Sequence, residues 1–328
     1  MTHAVEEPVG RPGDELAKQI LELTFRFRRL ADPEDPCGDQ PCADCYAVHE
    51  ERVRRFIDAG APVHFLLPAF PAKSRNPGKV LGSLPDLGER VSVEFLQTFC
   101  ELVSHVYEPG ARILICSDGH VFSDLLGIPD EDVTAYRDEL QRIIDTLGTE
   151  SIGLYALDDA FGLDSYDEMR ALLVERYGIP LDGLREEVRS DLQARAMFNG
   201  MHRFMVEDHV PLTPGVSRSQ VSKQCKDLAY QMIQRSRAWG DLVGDIFPDS
   251  LRLSIHPQHS HAGKIGFHLI RTKDNWLTPW HGVLVDDGQT VTLMKRSQAE
   301  SANASLVFRH GRPSHYVKPH ALPEENAS

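Results

Sequence analysis

The fold is decided by a short apolar run, VHFLL, at residues Val63–Leu67. Similar runs follow at Arg112–Cys116 and Ser151–Leu157, and amphipathic helical patterns separate them near 89–106 and 133–147. Nearly continuous apolar strands that alternate with helices are typical of a parallel sheet covered by helices on both faces. The sequence therefore predicts an α/β fold with a Rossmann-like, doubly wound, mainly parallel sheet.

Working outward from this core divides the chain into five expected segments. These are an N-terminal helical extension at 1–60, the Rossmann-like core at 61–160, a helical segment at 161–245, C-terminal strands completing the active site at 246–300, and a polar tail at 301–328. The tail is expected to be frayed, because short polar termini are seldom ordered. Within the fourth segment, Asp286, Asp287 and Gly288 predict a hairpin turn between two strands.

The bulk composition excludes several classes of function. The net charge of −14 argues against a nucleic-acid surface, which needs clustered Lys and Arg. The apolar runs are too short to cross a bilayer, and the polar start of the chain has no secretory signal. We therefore expect a cytoplasmic protein that binds neither nucleic acid nor membrane. The sequence leaves its oligomeric state open.

Three of the six cysteines lie close together, as Cys37, Cys42 and Cys45, with His49 following. The spacing suggests a zinc site that uses His49, or an iron–sulfur site that would need a fourth cysteine. A loop of small residues between helices explains the same spacing. Because a zinc site usually shows all four ligands in the sequence, the loop interpretation is favoured and no metal is assigned.

A basic loop follows the first strand, with Lys73, Arg75 and Lys79 spaced by Pro and Gly. Ligands of open α/β sheets lie beyond the carboxyl ends of the strands. A stiff cationic loop at that position can hold a phosphate or carboxylate through charge-assisted hydrogen bonds. The alternative is a solvated charged loop.

The second strand leads into Ser117, Asp118 and His120, with Gly119 between them. A hydroxyl, a carboxyl and an imidazole at a strand end form a candidate acid/base group. The alternative is an Asp–His pair that only caps the turn.

A third polar group lies near the C-terminus; its members are Arg252, Ser254, His256, Lys264, His268, Arg271, Trp280 and His281. Alternation along a strand places Arg252, Ser254 and His256 on one face. They would line either a cavity or the solvent face of an antiparallel pair. The histidines lack the close spacing of a metal site.

Familiar nucleotide and hydrolase motifs are missing. The sequence contains no G-x-G-x-x-G after a strand, no G-x-x-x-x-G-K-[ST] and no G-x-S-x-G. A nicotinamide enzyme, an ATPase and a serine hydrolase are therefore not expected.

Three stretches, in order, resemble the isonitrile (isocyanide) synthases of the pyoverdine/dityrosine biosynthesis family. The first is KSRN at 73–76 with KVLG at 79–82, PD at 85–86 and GE at 88–89; the second is SDGHVFSD at 117–124; the third is RLSIHP at 252–257 with KIG at 264–266 and TPWH at 278–281. The similarity runs, with gaps, from about residue 15 to about residue 295. It does not include the cysteine cluster or the tail.

The resemblance implies an enzyme of secondary metabolism that joins the amino group of an aromatic amino acid to C2 of ribulose 5-phosphate. L-Tyrosine is the favoured amino acid and L-tryptophan the next. No cofactor or metal is implied, and a downstream enzyme would modify the isonitrile. The residues that we expect to be catalytic are Ser117, Asp118, His120, His256 and His268, and those expected to bind phosphate or carboxylate are Lys73, Arg75, Lys79, Arg252 and Lys264.

Two other functions suit the same residues. A phosphosugar aldolase or isomerase would need a basic loop and an acid/base group but no amino acid. A non-enzymatic protein that binds a small anion would need only the cations.

Overall fold

The computed structural model describes residues 12–270 and 277–318. Its main sheet has five parallel strands in the order β3-β2-β1-β4-β5. The strands are β1 (Val63–Pro68), β2 (Ala111–Cys116), β3 (Ile152–Tyr155), β4 (Leu251–Ser254) and β5 (Ile265–Gly266). The predicted α/β class and parallel sheet are confirmed.

Both faces of this sheet are buried. Phe65 and Leu67 of β1 belong to one apolar core, and Leu66 between them belongs to the other. Successive side chains of a strand point to opposite faces, so a strand buried on both faces is apolar at nearly every position. This is why VHFLL shows no alternation.

Eleven helices surround the sheets within the described residues. They are α1 (Pro12–Phe25), α2 (Ala43–Asp58), α3 (Leu87–Ser104), α4 (Gly119–Leu126), α5 (Asp130–Leu147), α6 (Leu157–Phe161), α7 (Tyr166–Tyr177), α8 (Leu181–Ser190), α9 (Leu192–His209), α10 (Arg218–Ile246) and α11 (Arg296–Ser301). Helices α1, α2, α3 and α5 contribute to the first core, and α4 and α6–α10 to the second. No described helix combines the length and apolar character that a membrane crossing requires.

A second, four-stranded sheet lies in the C-terminal part, in the order β7-β6-β9-β8. Its strands are β6 (Val283–Asp286), β7 (Val291–Met294), β8 (Ser305–Arg309) and β9 (Arg312–Val317). The predicted hairpin between β6 and β7 is confirmed, with Gly288 at φ +83° in its turn.

The prediction of a frayed tail is wrong for β8 and β9. These strands pair with each other, β9 also pairs with β6, and His315 and Tyr316 are buried. Both strands are short and carry several polar residues, and their order depends on pairing with the neighbouring sheet. The strands of the predicted C-terminal segment, 246–300, belong to two different sheets. Strands β4 and β5 extend the main sheet, whereas β6 and β7 belong to the second sheet.

Candidate active site

Two of the three polar stretches directly follow the carboxyl ends of strands in the main sheet. The third begins inside β4, where Arg252 is level with Leu66 of β1, and includes Lys264 just before β5. The basic loop follows Pro68 of β1, and Ser117 follows Cys116 of β2; these two strand ends are in register. Arg252 lies on β4, which pairs with the other side of β1. Adjacent strands are about 4.8 Å apart. Because β2 and β4 lie on either side of β1, these two strands are about 10 Å from each other. The edge matches the usual ligand position in such folds.

Phe70 shapes the loop after β1. Its backbone is left-handed, with φ 57°, and its buried ring lies 5.0 Å from that of Trp280. A bulky residue in this region carries strain that its surroundings must hold in place. The Ser117 hydroxyl donates a 3.0 Å hydrogen bond to the Phe70 carbonyl. Ser117 therefore secures the strained loop, and its predicted catalytic role stays a prediction.

Gly119 permits the close approach of this loop to α4. A Cβ atom at this position would lie 2.0 Å from the carbonyl oxygen of Pro71 and 2.5 Å from Cγ1 of Val133. Its backbone is not left-handed. The lack of space for a Cβ atom, and not the backbone conformation, is what requires glycine here.

We expect Gly119→Ala to destabilise the protein by about 3 kcal/mol, the upper range of overpacking costs, because backbone must shift to admit the methyl group. The control is Gly183→Ala in α8, where a Cβ would meet no atom within 4 Å. Alanine there should be neutral or slightly stabilising, since it favours helix. Chemical denaturation of both variants measures the difference. Equal free energies of unfolding would contradict the argument.

Asp118 has the properties of an acid/base group. It precedes α4, yet its side chain makes no capping hydrogen bond. Its Oδ1 atom is buried and has no hydrogen-bond partner among residues 12–270 and 277–318. Burial raises the pKa of Asp118 to about 7. A carboxyl with this pKa can give or take a proton near neutral pH.

His120 is held apart from Asp118. Its ring stacks on Tyr166 at 3.7 Å, and its Nε2 lies 3.2 Å from the Asp130 carbonyl oxygen and 3.1 Å from Oγ1 of Thr134. Burial lowers its pKa, which favours the neutral ring. These contacts join α4 to α5 and α7, and the acid/base role expected for the His120 side chain stays a prediction.

The expected anion-binding role does not fit Lys73. Its buried ammonium lies 2.8 Å from carboxylate oxygens of both Asp86 and Glu89 and donates to the Pro279 carbonyl at 3.0 Å. An ammonium has three N–H donors, and all three are used. Burial opposes the charge, but the two carboxylates outweigh it and raise the Lys73 pKa. Burial, together with the Asp86 charge, raises the pKa of Glu89 to about 7.

Lys79 is neutralised in the same way. Its Nζ lies 2.5 Å from Oδ1 of Asp208 and 3.2 Å from Oε2 of Glu207, with the Phe204 ring 4.9 Å away. The loop's remaining cation, Arg75, is exposed and donates to the Gly127 carbonyl. The basic loop is therefore anchored largely to protein carboxylates.

Arg252 and Lys264 are the better anion site. Neither forms an ion pair within the described ranges; Asp241 acts on both only from a longer distance. The Arg252 guanidinium donates to the Gly240 carbonyl at 2.7 Å. A Cβ at Gly240 would lie 2.9 Å from Nη2 of Arg252 and 3.9 Å from Nζ of Lys264, so both cations lie against this bare stretch of α10. Lys264 is exposed and Arg252 is half-buried; desolvation beside α10 lowers the pKa of each, and the Arg252 charge lowers that of Lys264 further.

Neutral histidines complete the edge. Burial, then the positive charges of Arg29 and Lys264, lower the pKa of His256 to about 4. His281 is also neutral, because burial and nearby cations hold its pKa well below the usual value. Each neutral ring has one nitrogen that can accept a hydrogen bond. Arg271 of the same polar group lies outside the described residues.

His268 lies just after β5 and is half-buried. Its backbone N–H donates a 3.0 Å hydrogen bond to the Phe27 carbonyl. This bond ties the end of β5 to the segment after α1. The catalytic role expected for the His268 side chain stays a prediction.

Several residues of the edge were missed by sequence reasoning. It assigned no role to Asp86 or Glu89, although the first similar stretch contains them. It also missed Asp208, which lies outside every motif and meets the basic loop only in the folded chain.

Comparison with known proteins agrees with this architecture. Residues 53–307 match the family described as pyoverdine/dityrosine biosynthesis protein. An L-tryptophan isonitrile synthase from Fischerella ambigua is 48% identical over 92% of this chain and 92% of its own length. An L-tyrosine isonitrile synthase from Pseudomonas aeruginosa is 44% identical over 93% of this chain and 95% of its own length.

A solved structure gives the same result for the fold. The crystal structure of the PvcA protein from Pseudomonas aeruginosa superposes with a TM-score of 0.84 and 40% identity, covering 92% of this chain and 99% of that one. The family match, the two relatives and this fold agree with the three similar stretches found in the sequence. The chain therefore belongs to the pyoverdine/dityrosine biosynthesis family and is one of its isonitrile synthases.

Proposed function

We propose that this enzyme converts the amino group of L-tyrosine or L-tryptophan into an isonitrile, with C2 of ribulose 5-phosphate as the carbon source. The relatives named above are a tryptophan and a tyrosine isonitrile synthase, which supports an aromatic amino acid as substrate. Their sequence identities to this chain are similar, at 48% and 44%, so both amino acids are proposed. One observation carries the proposal for the site. A buried carboxyl with a pKa of about 7, Asp118, follows β2, while the cations Arg252 and Lys264 lie on the other side of β1.

This arrangement suits the proposed chemistry. The amine attacks the sugar ketone and loses water to give an imine. The C2–C1 bond then breaks to release C1 as formaldehyde, the C2–C3 bond breaks to release C3–C5 as hydroxyacetone, and the phosphate leaves from C5, so that C2 remains as the isonitrile carbon. Dehydration needs a proton donor and attack needs a proton acceptor, and Asp118 can serve as both near neutral pH. Arg252 and Lys264 would hold the phosphate. His256, which its low pKa keeps neutral, would accept a hydrogen bond from the bound substrate.

The decisive experiment supplies ribulose 5-phosphate labelled with ¹³C at C2, together with tyrosine or tryptophan, and traps the product with a tetrazine. We expect a labelled isonitrile carbon from at least one of the two amino acids. Isonitrile without label would overturn the carbon source, and no isonitrile from either would overturn the proposal. Sugar loss without amino acid would instead indicate an aldolase, and sugar binding without turnover an anion-binding protein.

We expect Arg252→Ala and Lys264→Ala each to raise KM for ribulose 5-phosphate about 10-fold or more, the value of a charge-assisted hydrogen bond. The control is Lys226→Ala, an exposed cation on the same helix as Gly240, about 21 Å further along its axis. Its KM should be unchanged. Steady-state kinetics with varied sugar and saturating amino acid measure the effect. If instead only the KM for the amino acid changed, these cations would bind the carboxylate of the amino acid and not the phosphate of the sugar.

We also place the reaction in the cytoplasm. None of the six cysteines, all of which lie within the described residues, forms a disulfide, as is usual in a reducing compartment. Fractionation of the producing cell, with the protein detected by antibody, tests this assignment.

A further inference from the structure

Three cysteines and a histidine meet at a point outside the candidate active site. The ligand atoms of Cys37, Cys42, Cys45 and His261 all lie within 4.8 Å of one another. Sγ of Cys42 is 3.7 Å from Sγ of Cys45 and 3.2 Å from Nε2 of His261, and Sγ of Cys37 is 3.9 Å from the same nitrogen. The fourth member is therefore His261 and not His49, which is buried with its ring 6.2 Å from that of Phe25.

These distances match the edges of a zinc tetrahedron. Bonds of about 2.3 Å to sulfur and about 2.0 Å to nitrogen put tetrahedral ligands about 3.8 Å apart for two sulfurs and about 3.5 Å for sulfur and nitrogen. The 3.7 Å sulfur–sulfur distance agrees with this, and the 3.2 and 3.9 Å distances to His261 lie on either side of it. A Cys₃His set is a common structural zinc site.

The backbone holds the four ligands in place from two distant parts of the chain. Cys37 lies in the loop before α2, where its N–H donates to Asp35 at 2.9 Å. The N–H of Cys45, in the first turn of α2, donates to the Cys42 carbonyl at 3.0 Å. His261 comes from the connection between β4 and β5. A bridge between Leu30 and Gln258 joins this connection to the segment after α1.

Two other uses of the cysteines fit less well. A disulfide needs about 2.05 Å between sulfurs, and 3.7 Å separates Cys42 from Cys45. An iron–sulfur cluster binds its ligands through different iron atoms, which spreads them further apart than a set confined within 4.8 Å. Ligands this close converge on one ion.

We propose that Cys37, Cys42, Cys45 and His261 bind one structural Zn²⁺ ion that fastens the loop before α2 to the β4–β5 connection. With four protein ligands, the ion has no open position for substrate, so its role is to hold structure. The connection begins near His256 and ends at Lys264, both at the edge of the candidate active site. The metal thus supports one wall of that site from outside.

The test measures metal directly in the full-length protein, purified without chelator. Elemental analysis should give about one zinc per chain for the wild type, as a single tetrahedral site requires. Cys42→Ser and His261→Asn should lose most of it. The matched controls are Cys225→Ser, a free cysteine in the other core, and His259→Asn, two residues from His261 in the same connection. Both controls should retain the wild-type zinc content.

Two further measurements keep the result unambiguous. Co²⁺ added to metal-free protein should produce the thiolate charge-transfer and tetrahedral d–d bands, absent in Cys42→Ser. Hydrogen exchange of the chelated protein should rise in residues 31–45 and 256–264 and stay unchanged in β9. A wild type that holds neither zinc nor Co²⁺ would overturn the proposal, as would full zinc content in both Cys42→Ser and His261→Asn, or iron with labile sulfide.

Discussion

Replacing Asp118 with asparagine is expected to lower kcat at least about 100-fold, the usual contribution of a general acid/base group. Asparagine has nearly the same shape but cannot exchange a proton at neutral pH. The Oδ1 atom has no protein partner among the described residues, so the substitution breaks no hydrogen bond of that atom. Folding should therefore be preserved while turnover is lost. The tetrazine assay and a thermal melt, run on the same preparation, measure both quantities.

The pH dependence of stability follows from the raised pKa of Asp118. Burial raises its pKa from 3.8 to about 7 in the folded state. The protonated Asp118 carboxyl contributes to the free energy of unfolding. This contribution is fully present below the pKa of the unfolded state, about 3.9, and is lost as the pH rises through the pKa of the folded state. Above pH 7 the folded wild type contains a buried, poorly solvated carboxylate, which lowers its stability. The neutral amide of asparagine avoids this cost. Asp118→Asn should thus melt at the same temperature as the wild type or higher at pH 8.

Asp132→Asn, an exposed position in the first turn of α5, is the matched control for activity. It should keep wild-type kcat. Full activity of Asp118→Asn would show that Asp118 has no role in proton transfer. A large fall in its melting temperature at pH 8 would show instead that the carboxylate stabilises the fold, contrary to the direction of its pKa.

Lys73→Met is expected to have the largest effect on stability, a loss of about 3–5 kcal/mol, as found when one partner of a buried ion pair is removed. The ammonium lies between Asp86 and Glu89, and the side chains of Lys73 and Glu89 are fully buried. Without it, both carboxyls would lack their cation. Asp86 also accepts from the Gly88 N–H at the start of α3, so the helix N-terminus would be disturbed. Urea denaturation at several pH values measures the loss.

The size of this loss should depend on pH. Removing Lys73 raises the pKa of Glu89 beyond its present value of about 7. When a carboxyl group has a higher pKa in the folded state, the stability that it contributes is present below its pKa in the unfolded state, about 4.3 for Glu. That stability is lost as the pH rises through the pKa of the folded state. The difference from wild type should therefore be greater at pH 8 than at pH 5. Adding Glu89→Gln to Lys73→Met should recover part of the loss at pH 8.

Lys226→Met, an exposed lysine on α10, is the control and should change stability by less than about 0.5 kcal/mol. If Lys73→Met were as stable as this control, the buried ion pairs would have no net structural role. Lys73 would then be available for the substrate, as the sequence first suggested.

The sequence alone was sufficient for the parallel core and for the position of the candidate site. Burial on both faces requires apolar residues at almost every position of β1 and β2. Such a run of apolar residues can be recognised within the sequence of each strand by itself. The same holds for Asp118, because a polar residue directly after a buried strand lies at the edge where ligands bind. The three similar stretches also determined the family.

Only the tertiary structure decided which charges are free and which ligands meet. Lys79 is neutralised by Asp208, 129 residues away, so the cationic loop is mostly paired while Arg252 and Lys264 are not paired within the described ranges. His261 joins Cys42 across 219 residues, which no local spacing reveals. Charge neutralisation and metal geometry depend on distances of a few ångströms between segments remote in the chain. Local sequence patterns carry the strand and helix periods, but these distances arise only when the chain folds.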